Sequence, residues 1–310
     1  APMELSRVKL SANWMAACGT GDKDSGEDAA LYATVKAVGM ELCPALGISI
    51  PVGKDSLSMR SKVNTDVASG AGQHEVISPV SLIVTAFATL ADVRGTLTPQ
   101  LNTEEADTTL LLIDLGHGKA RMAASILAQT LNAVGEVAPD LDNPQDLVNL
   151  VKAVNQLRTE GKILAYHDRS DGGLMAAVCE MAFAGHVGVA LNVDMLVTEG
   201  DGISDSRADH GDSKNWATQV SARRHELTLR ALFSEELGAV IQVPTEHRNE
   251  AYSNVRRMRS TGRNAVMRAL CTSGTLLGAV VEEEPGRARG NQDSRDQIGR
   301  ASCRERVSSP

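Results

Sequence analysis

One run of the chain, His167-Asp168-Arg169-Ser170-Asp171-Gly172-Gly173, sets two carboxylates, a hydroxyl and a glycine pair between an apolar stretch at 163–166 and a helical pattern from 174 to about 184. Free N–H groups at a helix start attract anions, and glycine lets the backbone come close to them, so a polyphosphate suits this turn. Mg2+ is held by one or two carboxylates together with phosphate oxygens, which makes Asp168 the natural ligand. Asp171 reads as the helix cap, and His167 and Arg169 as side chains able to touch a ligand or a neighbouring subunit. The same residues also read as a solvated turn closed by an aspartate.

A second candidate is Pro51-Val52-Gly53-Lys54-Asp55-Ser56-Leu57-Ser58-Met59, expected as a loop over 53–58 after a short buried strand at 48–52. Its cation, carboxylate and hydroxyls suit a phosphorylated or polyhydroxy substrate, and equally a hydrogen-bonded surface turn. A Walker loop is rejected. That motif is G-x-x-x-x-G-K-[ST], whereas five residues separate Gly47 from Gly53 here and Asp55 follows Lys54. Gly116-His117-Gly118-Lys119-Ala120-Arg121 lacks the third glycine of a dinucleotide fingerprint and reads as a strand-to-helix turn. Asp201, Asp205, Asp209 and Asp212 lack the spacing of a Ca2+ loop. Glu235 and Glu236 could act as a base or metal ligand but read as solvated charges near a helix end. The five cysteines contain no CxxC pair and sit in apolar surroundings, where thiols are usually inert.

These loops need elements to carry them. Asp24 and Ser25 can cap a helix whose apolar face is Leu31, Val35, Val38 and Leu42, with Pro44 ending it. Residues 78–90 form a β-rich run, and the polar, proline-marked stretch 97–106 reads as a linker. A second unit opens with the apolar strand 109–115, of the kind buried on both faces. Helical patterns follow at 119–134 and 145–160, then strands at 163–166 and 187–193, a polar loop at 199–215, a helix over 227–233 and a strand at 239–243. Alternating strands and helices predict an α/β (α+β) chain.

The chain has 310 residues, 31 basic and 39 acidic, a net charge of −8. Its length suits about two domains. Net negative charge and only eight aromatic residues argue against nucleic-acid binding. No apolar stretch reaches the roughly 20 residues of a spanning helix, and the N-terminus has no secretory pattern, so a cytoplasmic protein without a membrane partner is expected. Charge is uneven. Residues 1–247 carry a net −13 and residues 248–310 a net +5, the basic residues of the latter being all arginine.

The runs Lys9-Leu10-Ser11-Ala12-Asn13-Trp14-Met15-Ala16-Ala17, Gly26-Glu27-Asp28-Ala29, Leu42-Cys43-Pro44, Ile50-Pro51-Val52-Gly53-Lys54-Asp55-Ser56, the 166–174 turn, Glu180-Met181-Ala182-Phe183-Ala184-Gly185-His186 and Glu235-Glu236-Leu237-Gly238 occur in that order. Together, from about residue 8 to 245, they resemble the second synthetase-like half of the large single-chain bacterial phosphoribosylformylglycinamidine synthases, within the aminoimidazole ribonucleotide synthetase superfamily. The resemblance implies an ATP-dependent ligase of purine biosynthesis that converts formylglycinamide ribonucleotide, with glutamine-derived ammonia, into formylglycinamidine ribonucleotide. It implies ATP and Mg2+ as cofactors, Asp168 as a metal ligand, and Ser170 and Asp55 as ATP contacts. Lys54, Ser56 and Ser58 would belong to a substrate or nucleotide loop. It also implies a two-domain architecture of mixed sheets with flanking helices. A partial N-terminal-type synthetase domain would cover 1–96, a linker 97–106 and a C-terminal-type α/β domain 107–250. Residues 251–310 form a divergent tail, in which 297–307 resembles a translated sequencing adapter.

By the same resemblance, the chain is about a quarter of the full protein, and its partners include the remaining domains. The family's Glu and Asn metal ligands would lie upstream and its glutaminase domain downstream. Ser234 stands where the family has Asn. In that family the second half can hold a nucleotide that is structural rather than turned over. A shorter paralogue, such as aminoimidazole ribonucleotide synthetase, is the alternative within the enzyme class, and a non-catalytic nucleotide-holding half is the alternative outside it.

Overall fold

The computed structural model describes residues 1–19, 26–64, 73–191, 193, 196, 224–257 and 266–272. The Asp24–Ser25 cap, the 201–212 aspartates and the tail beyond 272 lie outside the described residues.

The N-terminal unit is built on β1 (Lys9–Met15), whose residues alternate between half-buried and buried, with Leu10, Ala12 and Trp14 facing inward. This period of two is what a strand with one covered face requires. β2 (Ser49–Ser56) pairs parallel with β1 on one side, and β5 (Ser81–Phe87) pairs antiparallel on the other. β3 (Arg60–Asn64) and β4 (Gln73–Ile77) form a separate antiparallel pair.

A helix joins the parallel pair β1 and β2. It comprises α1 (Glu27–Val35), a π-helical stretch (Lys36–Leu42) and α2 (Cys43–Leu46). Pro44 does not end it, because proline in the first turn of α2 gives up only an N–H that has no helical partner there. Gly47, left-handed at φ 69°, ends it instead. The expected apolar face is only partly covered: Val38 packs against Val8 and Leu10, Leu31 and Leu42 are half-buried, and Val35 is exposed. α1 has no buried residue, and Tyr32 and Met40 are exposed. By length and composition alone the helix Glu27–Leu46 is long and apolar enough to cross a membrane. Here it serves as the crossover of a β-α-β unit, with Cys43 packed against Val8 and Leu10.

The C-terminal unit is a sheet of order β7-β8-β6-β9, formed by β6 (Thr108–Asp114), β7 (Ala165–Asp168), β8 (Gly238–Pro244) and β9 (Val266–Thr272). β6 is buried at every position, as its composition predicts. Every pairing in this sheet is antiparallel, however. What buries β6 is a helix on each face. Leu110, Leu112 and Val240 pack with Leu174, Ala177 and Met181 of α5 (Gly173–Gly185). Leu111, Ile113 and Ile241 pack with Leu150, Ala153 and Leu157 of α4 (Pro144–Thr159). Each fully buried Leu or Ile contributes about 1.5–3 kcal/mol.

Three sequence expectations are corrected here. The 119–134 helix shrinks to α3 (Ile126–Thr130), because His117, Ala120 and Ala124 adopt positive φ. The 187–193 segment forms no strand among its described residues, and its Val187, Val189 and Leu191 serve as packing against the α5 core instead. β7 starts two residues later than predicted and ends on Asp168. A helix, α6, covers 224–233, and α7 (Arg248–Arg257) follows β8.

The stretch between the sheets is tied down. Tyr166 N donates to Thr98 O at 2.9 Å, extending the edge of β7. The amide of fully buried Gln242 bonds both Asn102 N (2.7 Å) and Asn102 O (2.9 Å).

Candidate ligand site at the 166–173 turn

Asp168, the last residue of β7, keeps its side chain 66% exposed, with the carboxylate 3.7 Å from His167 Nδ1. His167 turns instead to α5, where its Nε2 lies 2.7 Å from Glu180 Oε2. Ser170 and Asp171 are also exposed. The turn therefore presents two carboxylates and a hydroxyl on its outer side.

Its inner side is anchored by buried charge. Arg169, between Asp168 and Ser170, points inward. Its Nη2 donates to Asp114 Oδ1 at 2.5 Å and to Leu237 O at 3.1 Å, and its Nε to Glu236 O. Asp114 also accepts from Gly116 N (3.1 Å) and Gly118 N (2.8 Å), which explains the tight turn after β6. The Glu236 side chain is 1% exposed and receives Arg121 through its backbone N, Nε (2.6 Å) and Nη2 (2.7 Å). That carboxylate holds the Arg121 guanidinium well above its ordinary range. Glu235 Oε1 accepts from Gly172 N and from Ile126 N, each at 2.8 Å.

Several expectations change accordingly. Arg169 is committed to Asp114 and does not reach outward. Glu235 and Glu236 are not solvated charges, since each is bonded across the fold. Asp171 does not cap α5: Gly172 occupies that position, with no side-chain bond. The two glycine amides proposed for phosphate are already engaged, Gly172 by Glu235 and Gly173 by Ser170 O at 2.9 Å. The glycines answer a packing requirement instead. Gly173 has φ 68°, and a Cβ there would lie 2.8 Å from Phe233 C and Ser234 O.

Beside the turn opens a cavity of about 400 Å3. Tyr166, His167, Asp168 and Asn155 are among its polar lining, and Leu97, Leu147 and Val151 among its apolar walls. Burial, and secondarily the Asp168 charge, push the Tyr166 phenol up to about 12, so it presents no charge at neutral pH.

The second candidate stands apart. β2 continues through Ser56, so Gly53, Lys54, Asp55 and Ser56 are strand rather than loop. Their backbones follow β1 in register as far as Ser56 opposite Met15. Lys54 Nζ donates to Ser56 Oγ at 2.8 Å, Asp55 is exposed, and Ser58 bridges to Ala17. Lys54, Asp55, Ser56 and Ser58 do not line the cavity, and neither does Ser170. Among the described residues no group of three His, Cys, Asp or Glu side chains is placed to hold a metal. A lone exposed carboxylate does fit Mg2+, which takes most of its ligands from phosphate and water. Cys43 is buried, which raises its thiol above the usual range, as expected of an inert cysteine. The sequence reading missed the doubly bonded Glu235, the Arg121–Glu236 pair and Tyr166. The one available signal was the paired glutamates next to Gly238, where a Cβ would strike Ile113 O at 2.2 Å.

Two domain-family models match the chain. Residues 1–89 match the FGAR-AT PurM_N-like domain, and residues 110–259 match the AIR synthase related protein, C-terminal domain. Among solved structures, HypE of E. coli is 18% identical with a TM-score of 0.51, over 90% of this chain and 74% of that one. A chain of a HypE–HypF complex is 13% identical with a TM-score of 0.50, over 91% and 80% respectively. T. maritima PurL complexed with ATP is 11% identical with a TM-score of 0.46, over 90% of this chain and 34% of that one. At these identities the two HypE likenesses show the fold alone, and one fold hosts many chemistries. The fold is AIR synthase-like, and residues 1–89 and 110–259 each match a domain of that type.

Proposed function

We propose that this chain holds a Mg2+-bound adenine nucleotide at the 166–173 turn, as part of an ATP-dependent ligase of the AIR synthase type. Within that class we read it as part of a phosphoribosylformylglycinamidine synthase. That enzyme uses ATP to convert formylglycinamide ribonucleotide and glutamine-derived ammonia into formylglycinamidine ribonucleotide. The reading is carried by one observation: an exposed carboxylate, Asp168, among the residues lining a cavity of about 400 Å3 with apolar walls. A flat purine suits such walls, and the carboxylate suits the hard cation that accompanies its phosphates. Mg2+, when bound, would neutralise phosphate charge during transfer. The chain's own contribution is placement. Arg169 and Asp114 hold the turn from behind, Asp168 offers an anionic oxygen, Ser170 offers a hydroxyl, and Tyr166 lines the cavity as a neutral ring. The domain matches on both halves support the ligase class.

A second reading, a nucleotide-holding half without turnover, draws support from the separation of Lys54, Asp55, Ser56 and Ser58 from the cavity. Calorimetric titration of the chain with ADP, with and without Mg2+, tests the binding claim that both readings share. Saturable, Mg2+-dependent heat that Asp168→Ala abolishes is expected. Heat unchanged by that substitution would remove Asp168 from the site. In the parent full-length synthase, loss of turnover on the same substitution favours the catalytic reading, and normal turnover with a lowered melting temperature favours the structural one.

A further inference from the structure

The turn that carries Asp168 is held at both ends by the 235–238 segment: Arg169 N donates to Gly238 O at 2.9 Å, and Gly172 N to the Glu235 side chain. Arg169 is drawn inward to Asp114 and the carbonyls of Glu236 and Leu237. At the other end of the turn a single atom, Glu235 Oε1, accepts N–H groups from Gly172 and Ile126. Those donors open two different helices, α5 and α3, 46 residues apart in sequence. The glycine pair makes the arrangement possible, since at Gly173 only hydrogen fits against the backbone of 232–234. Glu235 itself is half-buried and is not among the residues lining the cavity.

We propose that Glu235 is a positioning residue for the ligand turn, fixing Asp168 and Ser170 by holding Gly172 against the start of α3. This rests on the nucleotide reading above. An anionic acceptor forms stronger bonds to two amides than a neutral one, but its essential feature is one oxygen in one place. Glu235→Gln keeps that oxygen, and Glu235→Ala does not. Outer partners that orient a ligand group typically change affinity about 10–100-fold when lost.

The test uses the full 310-residue chain and two readouts. Amide hydrogen exchange at Gly172 and Ile126 reports the anchor without any ligand, and calorimetry with Mg-ADP reports the site. Glu235→Ala is expected to speed exchange at both amides and to weaken Mg-ADP by about tenfold. Glu235→Gln is expected to stay within about threefold of the parent in both. Parent-like exchange or parent-like affinity in Glu235→Ala would overturn the proposal, and so would a Gln variant no better than the Ala variant. A parent chain that fails to bind Mg-ADP overturns the nucleotide reading and this proposal together, whereas binding retained in Glu235→Ala overturns this proposal alone.

Discussion

Replacing Asp114 by Asn removes one charge from a pair whose side chains are only 4% (Arg169) and 10% (Asp114) exposed. Asp114 serves three donors: Arg169 Nη2, Gly116 N and Gly118 N. Oδ1 accepts from Arg169 and Gly116 N and Oδ2 from Gly118 N, so an Asn with its oxygen at Oδ1 strands Gly118 N and leaves the guanidinium without a counter-charge. Breaking a buried pair from one side costs about 3–5 kcal/mol, because the remaining charge stays desolvated. The retained carbonyl contacts put the expected loss near the lower end, about 3 kcal/mol. Urea unfolding followed by circular dichroism reads this as a lower midpoint at an unchanged slope. A loss below about 1 kcal/mol, the ordinary worth of one neutral hydrogen bond, would refute the reasoning that this pair anchors the turn.

Other consequences follow from the same geometry. Gly173→Ala puts a Cβ 2.8 Å from the backbone of 233–234 at φ 68°, and a loss of about 1–3 kcal/mol in urea unfolding is expected. Spectrophotometric titration at the tyrosinate band should show one of the three tyrosines lagging until pH about 12, and Tyr166→Phe should abolish that lag. Because the folded value lies above the unfolded one, the Tyr166 contribution to stability is complete below pH 10. It declines as the pH rises from there through 12. Gln242→Leu strands Asn102 N and O under a buried side chain and should cost about 1–3 kcal/mol, with faster hydrogen exchange at Asn102.

The sequence announces β6, α4 and α5 clearly, because burial on both faces or on one helical face leaves a periodic signature. The candidate turn was equally legible, since a strand, an acidic turn, two glycines and a helix occur within about twenty residues. Local patterns did not reveal which polar groups are internal. Arg169, Glu235 and Glu236 look like surface charges in sequence and become anchors only when β8 closes against β6, about 125 residues away. The sequence placed the end of the strand at Val52, yet pairing with β1 carried β2 four residues further, to Ser56. The apolar positions 31, 35, 38 and 42 predicted a covered face, yet only Val38 packs on the β1 cluster and Val35 stays exposed. Periodicity tells which side of a helix is apolar and nothing about what lies against it.

Paramagnetic Mn2+ tests the central claim most directly, because it replaces Mg2+ at oxygen sites and its resonance changes on immobilisation. The account predicts that Mn2+ and ADP together give a bound spectrum with the parent chain, and that Asp168→Ala returns it to the free Mn-ADP form. A bound spectrum that persists in Asp168→Ala would contradict it.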